Sequence, residues 1–229
     1  MYREKLIKFF EEAKKTQTQE TPVEVEVRFG KIIQGEFVAG LDNGRFRFLK
    51  DWFTQSSLEA TPWTESVSSY FGKNKRVIVV KNANNTVANC ESIEKKPISI
   101  FVLSTNHPEG IAFKFAAYAE KNITNTNIPQ TISLVRLRER KSFFINSKDY
   151  EKSFSVDFTL VWASTSEKLV KEMQRHGRLS SFEIEMEITN DKYLKEMSAP
   201  YLADSLSLKL KNLFKDELGA EEFEFSFFS

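Results

Sequence analysis

Residues 23–30 read VEVEVRFG and residues 182–188 read FEIEMEI. Side chains of an extended strand alternate between its two faces. In the first segment Val23, Val25, Val27 and Phe29 share one face, and Glu24, Glu26 and Arg28 share the other. In the second, Phe182, Ile184, Met186 and Ile188 oppose Glu183, Glu185 and Glu187. Between them, VRLRERKSF at 135–143 puts Arg136, Arg138, Arg140 and Ser142 on one face. Any one of these segments is an ordinary amphipathic strand with a wet charged face. Together they are not ordinary, because solvated faces mix signs and these segregate them. Rows of one sign make sense when they face each other across an interior that holds a metal and a polyanion. Carboxylates on alternate residues of one strand lie about 6.8 Å apart, too far for one cation to bridge easily. A cation between two facing strands can take oxygens from each, as Mg and Mn prefer. Three arginines on one face can fork onto phosphate oxygens. A barrel with a charged lumen permits this, provided helices cover its apolar outer face.

The rest of the chain supplies that cover. Leu6, Phe9, Phe10 and Ala13 have helical spacing over residues 2–15, and Phe46, Leu49, Trp52 and Phe53 over 43–58. Residues 166–176 predict a helix stopped by Gly177. Residues 200–218 predict another, with Pro200 at its start, Gly219 past its end and a stripe of Leu202, Leu206, Leu210, Leu213 and Phe214. Further strands are expected at 76–81, 99–103, 113–120, 131–145 and 154–162, with Asn- and Thr-rich turns between some of them. The tail EEFEFSFFS alternates again and reads as a last strand or the root of a linker. No repeat or domain boundary stands out, so residues 1–229 are read as one domain. The predicted class is α+β, built around an antiparallel sheet or barrel with peripheral helices.

Composition narrows the chemistry. In 229 residues, 33 Lys+Arg balance 32 Asp+Glu, a formal charge of +1, so bulk electrostatics make no case for nucleic acid. Any anion must be bound locally. His107 and His176 are too few for a zinc site built on imidazole and thiolate, so a catalytic metal would sit on carboxylates. The single cysteine, Cys90, excludes an internal disulfide framework and points to a reducing, intracellular compartment. It lies in VANCESI, without the glycines of a phosphate-cradling loop, and no GxxxxGK[ST] loop occurs anywhere. No apolar run is long enough to span a bilayer, so no membrane partner is expected. His107 reads as a surface turn residue and His176 as a helix-end residue. Trp52, Trp63 and Trp162 read as core, and Met173 and Met186 as packing.

The charged strands resemble the triphosphate tunnel metalloenzymes, specifically the metal-dependent RNA 5′-triphosphatases of mRNA capping in fungi, protozoa and large DNA viruses. VEVEVRFG fits that family's opening strand at every position, FEIEMEI fits its late acidic strand, RLRERKSF at 136–143 its basic strand and DFT at 157–159 the strand that follows. RVIVV at 76–80, IEKKPIS at 93–99 and FKFAAYAE at 113–120 are weaker matches. Pro97 stands where the family carries Arg, Lys114 replaces an Arg and Ala116 a Ser. The resemblance implies an eight-stranded antiparallel barrel, a triphosphate tunnel. It implies Glu24, Glu26 and Glu187 as metal ligands, joined by Glu185 with Glu183 close by, and Mn²⁺ or Mg²⁺ as the cofactor. Arg76, Lys95, Arg136, Arg138 and Arg140 would bind the triphosphate. Arg138 and Arg140 would also serve catalysis, Asp157 would orient a basic partner or water, and Glu120 would position the attacking water. The implied reaction removes the γ-phosphate of 5′-triphosphate RNA, with nucleoside triphosphates as side substrates. Guanylyltransferase or methyltransferase capping domains are the implied protein partners, and nucleus, cytoplasm or virion the implied location. Two alternatives stay open: a tripolyphosphatase or thiamine-triphosphatase of the same superfamily, and a non-catalytic barrel that binds RNA ends.

Overall fold

In chain order the elements of the computed structural model are α1 (Tyr2–Thr16), β1 (Val23–Ile33), β2 (Glu36–Ala39), α2 (Asn43–Gln55), β3 (Thr64–Phe71), β4 (Lys75–Lys81), β5 (Val87–Thr105), β6 (Ile111–Asn122), β7 (Leu134–Ser147), β8 (Tyr150–Ser164), α3 (Glu167–Arg175), β9 (Ser181–Ile188), α4 (Asp191–Glu196), α5 (Ala199–Leu218) and β10 (Phe225–Phe227). The structure describes residues 2–18, 20–71, 75–81, 87–105, 110–123, 132–147, 149–218 and 225–227. His107, Gly219 and the 82–86 turn lie outside them.

Pairing runs β5-β4-β3-β7-β8-β9-β1, and β6 closes the ring by pairing with both β1 and β5. Every pair is antiparallel. The result is a closed eight-stranded barrel, with β2 extending β1 as a hairpin and β10 adding to β5. Closure leaves the barrel strands no free edge for stray pairing. The tail thus supplies a short last strand.

The register carries the alternation of the sequence around the ring. Glu26 stands opposite Glu187 and Arg28 opposite Glu185. Asp157 stands opposite both Glu185 and Ser142. Lys95 stands opposite Glu120, and Arg76 opposite Tyr70. Paired residues share a face, so the charges of all these strands point into one lumen. Val25, Val27, Phe29, Phe113, Phe115, Val156, Phe158, Ile184 and Met186 take the outer face and are almost completely buried. They pack with Leu6, Phe9, Phe10 and Ala13 of α1, Phe46, Leu49 and Phe53 of α2, and the leucine stripe of α5. A smaller cluster of Val67, Val135, Leu137 and Trp162 lies under Val170 of α3. This barrel is inside out, charged within and apolar without.

Local signals fix the helix ends. Asp42 caps α2 by accepting from the Arg45 amide at 3.0 Å, and Ser166 caps α3 through the Leu169 amide. Gly177 ends α3 at φ 64°, a left-handed conformation that glycine adopts without a Cβ penalty. Lys14 reaches from α1 to the carbonyls of Leu194, Lys195 and Met197 at 2.6–2.8 Å, neutralising the end of α4. Helix α2 stops at Gln55 rather than 58, because Ser56 turns extended while its amide returns to the Trp52 and Phe53 carbonyls.

Two tryptophan expectations are corrected. Trp52 and Trp63 are 39% and 44% exposed, whereas Trp162 is buried. Trp52 lies beside the Phe46–Leu49–Phe53 stripe rather than in it, with its ring edge-on to Phe53. Trp63 directly precedes β3. β2, β3 and α4 were not anticipated, and β5 runs well beyond 99–103.

Candidate active site

Every charged residue singled out in the sequence lies on the lumen face, and the structure brings them into two linked groups. The acidic group is built by β1, β8 and β9. Glu26 is 2% exposed and Asp157 3%. The Arg28 guanidinium braces two acids at once, with Nε 2.8 Å from Glu26 Oε1 and 3.1 Å from Glu185 Oε1. Arg140 reaches Asp157 Oδ2 at 2.8 Å and Glu185 Oε2 at 3.3 Å. Burial alone would raise the Glu185 carboxyl, but Arg28, Arg140 and Arg138 outweigh it and hold it well below the carboxylate range. Glu187 has no such partner: among the described residues its carboxylate makes no hydrogen bond or ion pair. Burial, then the charges of Glu24 and Asp157, push its carboxyl well above its ordinary value. Glu26 is also raised, by burial and by Glu185 and Glu24, because Arg28 is shared.

The second group is basic. Lys95 is ion-paired to Glu24 and lies 3.1 Å from Glu120, whose Oε1 is 3.9 Å from Arg76. Arg136 pairs with Glu183, which also accepts from Ser181. Arg138 differs. It is 8% exposed and, among the described residues, donates only to Ser68 and to the Tyr70 hydroxyl, with no carboxylate within ion-pair distance. Burial and the neighbouring Arg136 and Arg140 pull its guanidinium down to about 10. It remains charged at neutral pH and short of anions. Its partner Tyr70 lines a cavity of about 270 Å³ together with Arg28, Arg76, Lys95, Pro97, Ile100, Tyr118 and Arg136.

Pro97 sits at a bulge where the β5–β6 register shifts between Pro97 and Ser99. A bulge tolerates a residue without an amide proton, so the strand survives the substitution but that lumen position carries no charge. Lys114 faces Arg28 across β1–β6, and burial and Arg28 lower it. Sequence reasoning assigned no role to Arg28, Tyr70 or Tyr118. For Arg28 the signal was present in its shared face with Glu24 and Glu26. For Tyr70 it was masked, because SVSSYF at 66–71 has a serine on each face.

The donor set fits a hard divalent cation. Glu24 and Glu26 on β1 and Glu185 and Glu187 on β9 converge from adjacent strands, and the Glu187 carboxyl makes no ion pair among the described residues. No three Asp, Glu, His or Cys side chains among the described residues form a ready-made cage. Lys95 and Arg28 hold the carboxylates apart as ion pairs, and a cation there would exchange for those contacts.

No family model and no curated protein sequence matches the chain. Solved structures do. The RNA triphosphatase Pct1 of S. pombe superposes with a TM-score of 0.61 at 15% identity, covering 93% of this chain and 90% of that one. The mimivirus capping enzyme triphosphatase superposes at 0.54 and 14% identity, covering 93% and 98%. The RNA triphosphatase domain of the trifunctional mimivirus mRNA capping enzyme does so at 0.53 and 16% identity, covering 90% and 94%. The chain shares its fold with these RNA triphosphatase structures.

Proposed function

We propose that the protein is a metal-dependent RNA 5′-triphosphatase that hydrolyses the γ-phosphate of triphosphate-ended RNA to leave a diphosphate end, and that it accepts nucleoside triphosphates as side substrates. One observation carries this reading: a closed lumen in which the acids of β1 and β9 face the arginines of β7, with buried Arg138 in ion-pair contact with no acid among the described residues. The fold shared with Pct1 and the mimivirus domain supports it.

Phosphoryl transfer needs positioning and charge neutralisation more than covalent help. Arg138 and Arg136 grip oxygens of the triphosphate, Arg76 and Lys95 those nearer the cavity, and Arg140 stabilises the charge that develops on the transferred group. A divalent cation, Mg²⁺ or Mn²⁺, held by Glu24, Glu26, Glu185 and Glu187 would polarise the γ-phosphoryl group. Asp157 holds Arg140 in place. Glu120, anchored by Lys95, orients the attacking water and draws its proton. Water adds to the γ-phosphorus, the bond from that phosphorus to the bridging oxygen breaks, and inorganic phosphate departs. A trifunctional capping enzyme among the structural neighbours makes guanylyltransferase and methyltransferase domains the proposed partners.

The test is phosphate release from triphosphate-ended RNA, run beside ATP and tripolyphosphate with Mg²⁺, Mn²⁺ or excess chelator. Release that needs the cation and spares diphosphate ends is expected. Full activity in chelator would overturn the metal assignment. A preference for tripolyphosphate by orders of magnitude would overturn RNA as the substrate.

A further inference from the structure

Tyr70 stands in the basic half of the lumen with no part in the chemistry above. It lies opposite Arg76 in the β3–β4 register and lines the same cavity as Arg76, Arg136 and Lys95. Arg138 donates to its hydroxyl, and the same guanidinium lies 5.9 Å from the centre of its ring. No acid among the described residues makes an ion pair with Arg138, so this phenol is its principal polar partner. A guanidinium's other preferred partner is a phosphate oxygen, which offers a full charge and forked geometry that a neutral phenol cannot match.

We propose that Tyr70 is a substrate-positioning residue that competes with the polyphosphate chain: its hydroxyl holds the Arg138 guanidinium just behind the cavity wall that Tyr70 forms, and phosphate oxygens take that guanidinium over in exchange. The proposal rests on the reading of the lumen as a polyphosphate site and deepens it. Pre-aiming a buried arginine lowers the ordering cost of binding. The exchange costs little while the phenol is neutral.

The surroundings make that cost depend on pH. Arg76 faces the phenol from β4, and Arg136 and Arg138 from β7. Across the cavity lie Arg28 of β1, Lys95 of β5 and Tyr118 of β6. The nearest acids are committed, Glu120 to Lys95 and Glu183 to Arg136. Burial pushes the phenol up, but Arg138, Arg136 and Arg76 outweigh it and bring it down to about 8. Above that pH a phenolate holds the arginines, and an incoming polyphosphate must displace an anion rather than a neutral group. By reciprocity, bound polyphosphate must make the phenol harder to ionise.

The experiment uses magnesium tripolyphosphate as the probe. Near-ultraviolet titration of the full chain should show one tyrosine ionising near pH 8, absent in Tyr70→Phe and returned toward about 10 in Arg138→Gln. Saturating probe should move that ionisation above about pH 9. Calorimetric affinity should fall about tenfold between pH 7 and 9 in the wild type, and less than about twofold in Tyr70→Phe. An ionisation near 8 that survives in Tyr70→Phe, or superimposable affinity profiles, would overturn the role of Tyr70 and leave the polyphosphate site standing. No binding of the probe at any pH would overturn both.

Discussion

Arg138 sits between two arginines whose charges are already answered, Arg136 by Glu183 and Arg140 by Asp157 and Glu185. Among the described residues the middle guanidinium has only hydroxyl partners. It should therefore be the most sensitive position of the row. Arg138→Lys keeps the charge but loses the paired donors of the guanidinium. We expect at least about a tenfold loss in kcat/KM for ATP, roughly 1.4 kcal/mol of transition-state stabilisation. Wild-type kinetics in that variant would mean that phosphate does not reach this face. Gly30 makes a different kind of demand. A Cβ built there would stand 2.1 Å from the Val38 carbonyl oxygen and within 3 Å of the Phe37 ring. Backbone cannot yield as a flexible side chain does, so Gly30→Ala should force the β1–β2 hairpin apart. The expected cost is about 2–3 kcal/mol, read from the denaturant midpoint, with an unchanged m-value. An Ala variant as stable as the wild type would show that the hairpin opens freely.

At the scale of elements, α1 shows how the outer face is held. Phe9 stacks edge-on to Phe101 of β5 at 5.5 Å and to Phe10 at 5.3 Å, and both phenylalanines are fully buried. Phe10→Ala should cost about 3–5 kcal/mol of stability. Because the residue lies outside the barrel wall, KM for nucleotide at a temperature well below melting should change by less than about twofold. A large rise in KM would mean that the wall deforms with its cover. The same helix explains what sequence could and could not reveal. Its stripe of Leu6, Phe9, Phe10 and Ala13 has one meaning, and all four residues are buried as their spacing predicts. The strands of β1, β7 and β9 were equally legible, since each carries one class of residue on each face. β3 was not, because its serines and Tyr70 break the period. Neither was α4, whose six residues are too few to establish a helical repeat. The exposed position of Trp52 on α2 was misread for a related reason. A bulky aromatic next to a stripe looks like part of it until the helix is seated. Ion pairs were the least legible feature, because which acid meets which base depends on the register of strands distant in sequence.

At the scale of the whole molecule, a chain with a formal charge of +1 concentrates opposing charges in its interior and leaves the balance there unequal. Glu187, Glu26 and Asp157 bind protons more tightly folded than their types ordinarily do, chiefly through burial. A carboxyl raised in this way stabilises the fold fully below its unfolded value, near 4, and that contribution is lost as pH rises through the folded value. Glu185, held low by arginines against its burial, acts in the opposite sense: its contribution is present above the unfolded value and lost as pH falls through the folded one. In chelator the first group should dominate near neutrality, so the melting temperature should fall between mildly acidic pH and pH 8. Magnesium or manganese should reverse that fall, because a ligand bound only by the folded state adds about 2.7 kcal/mol at a hundredfold excess over Kd. Glu187→Gln separates the two effects, since it removes the buried charge and a metal ligand together. In chelator at pH 7.5 the variant should melt at or above the wild-type temperature, and most of the metal-induced rise should be gone. A Glu187→Gln protein that melts early yet keeps the full metal shift would place the cation elsewhere and make this carboxyl a structural group.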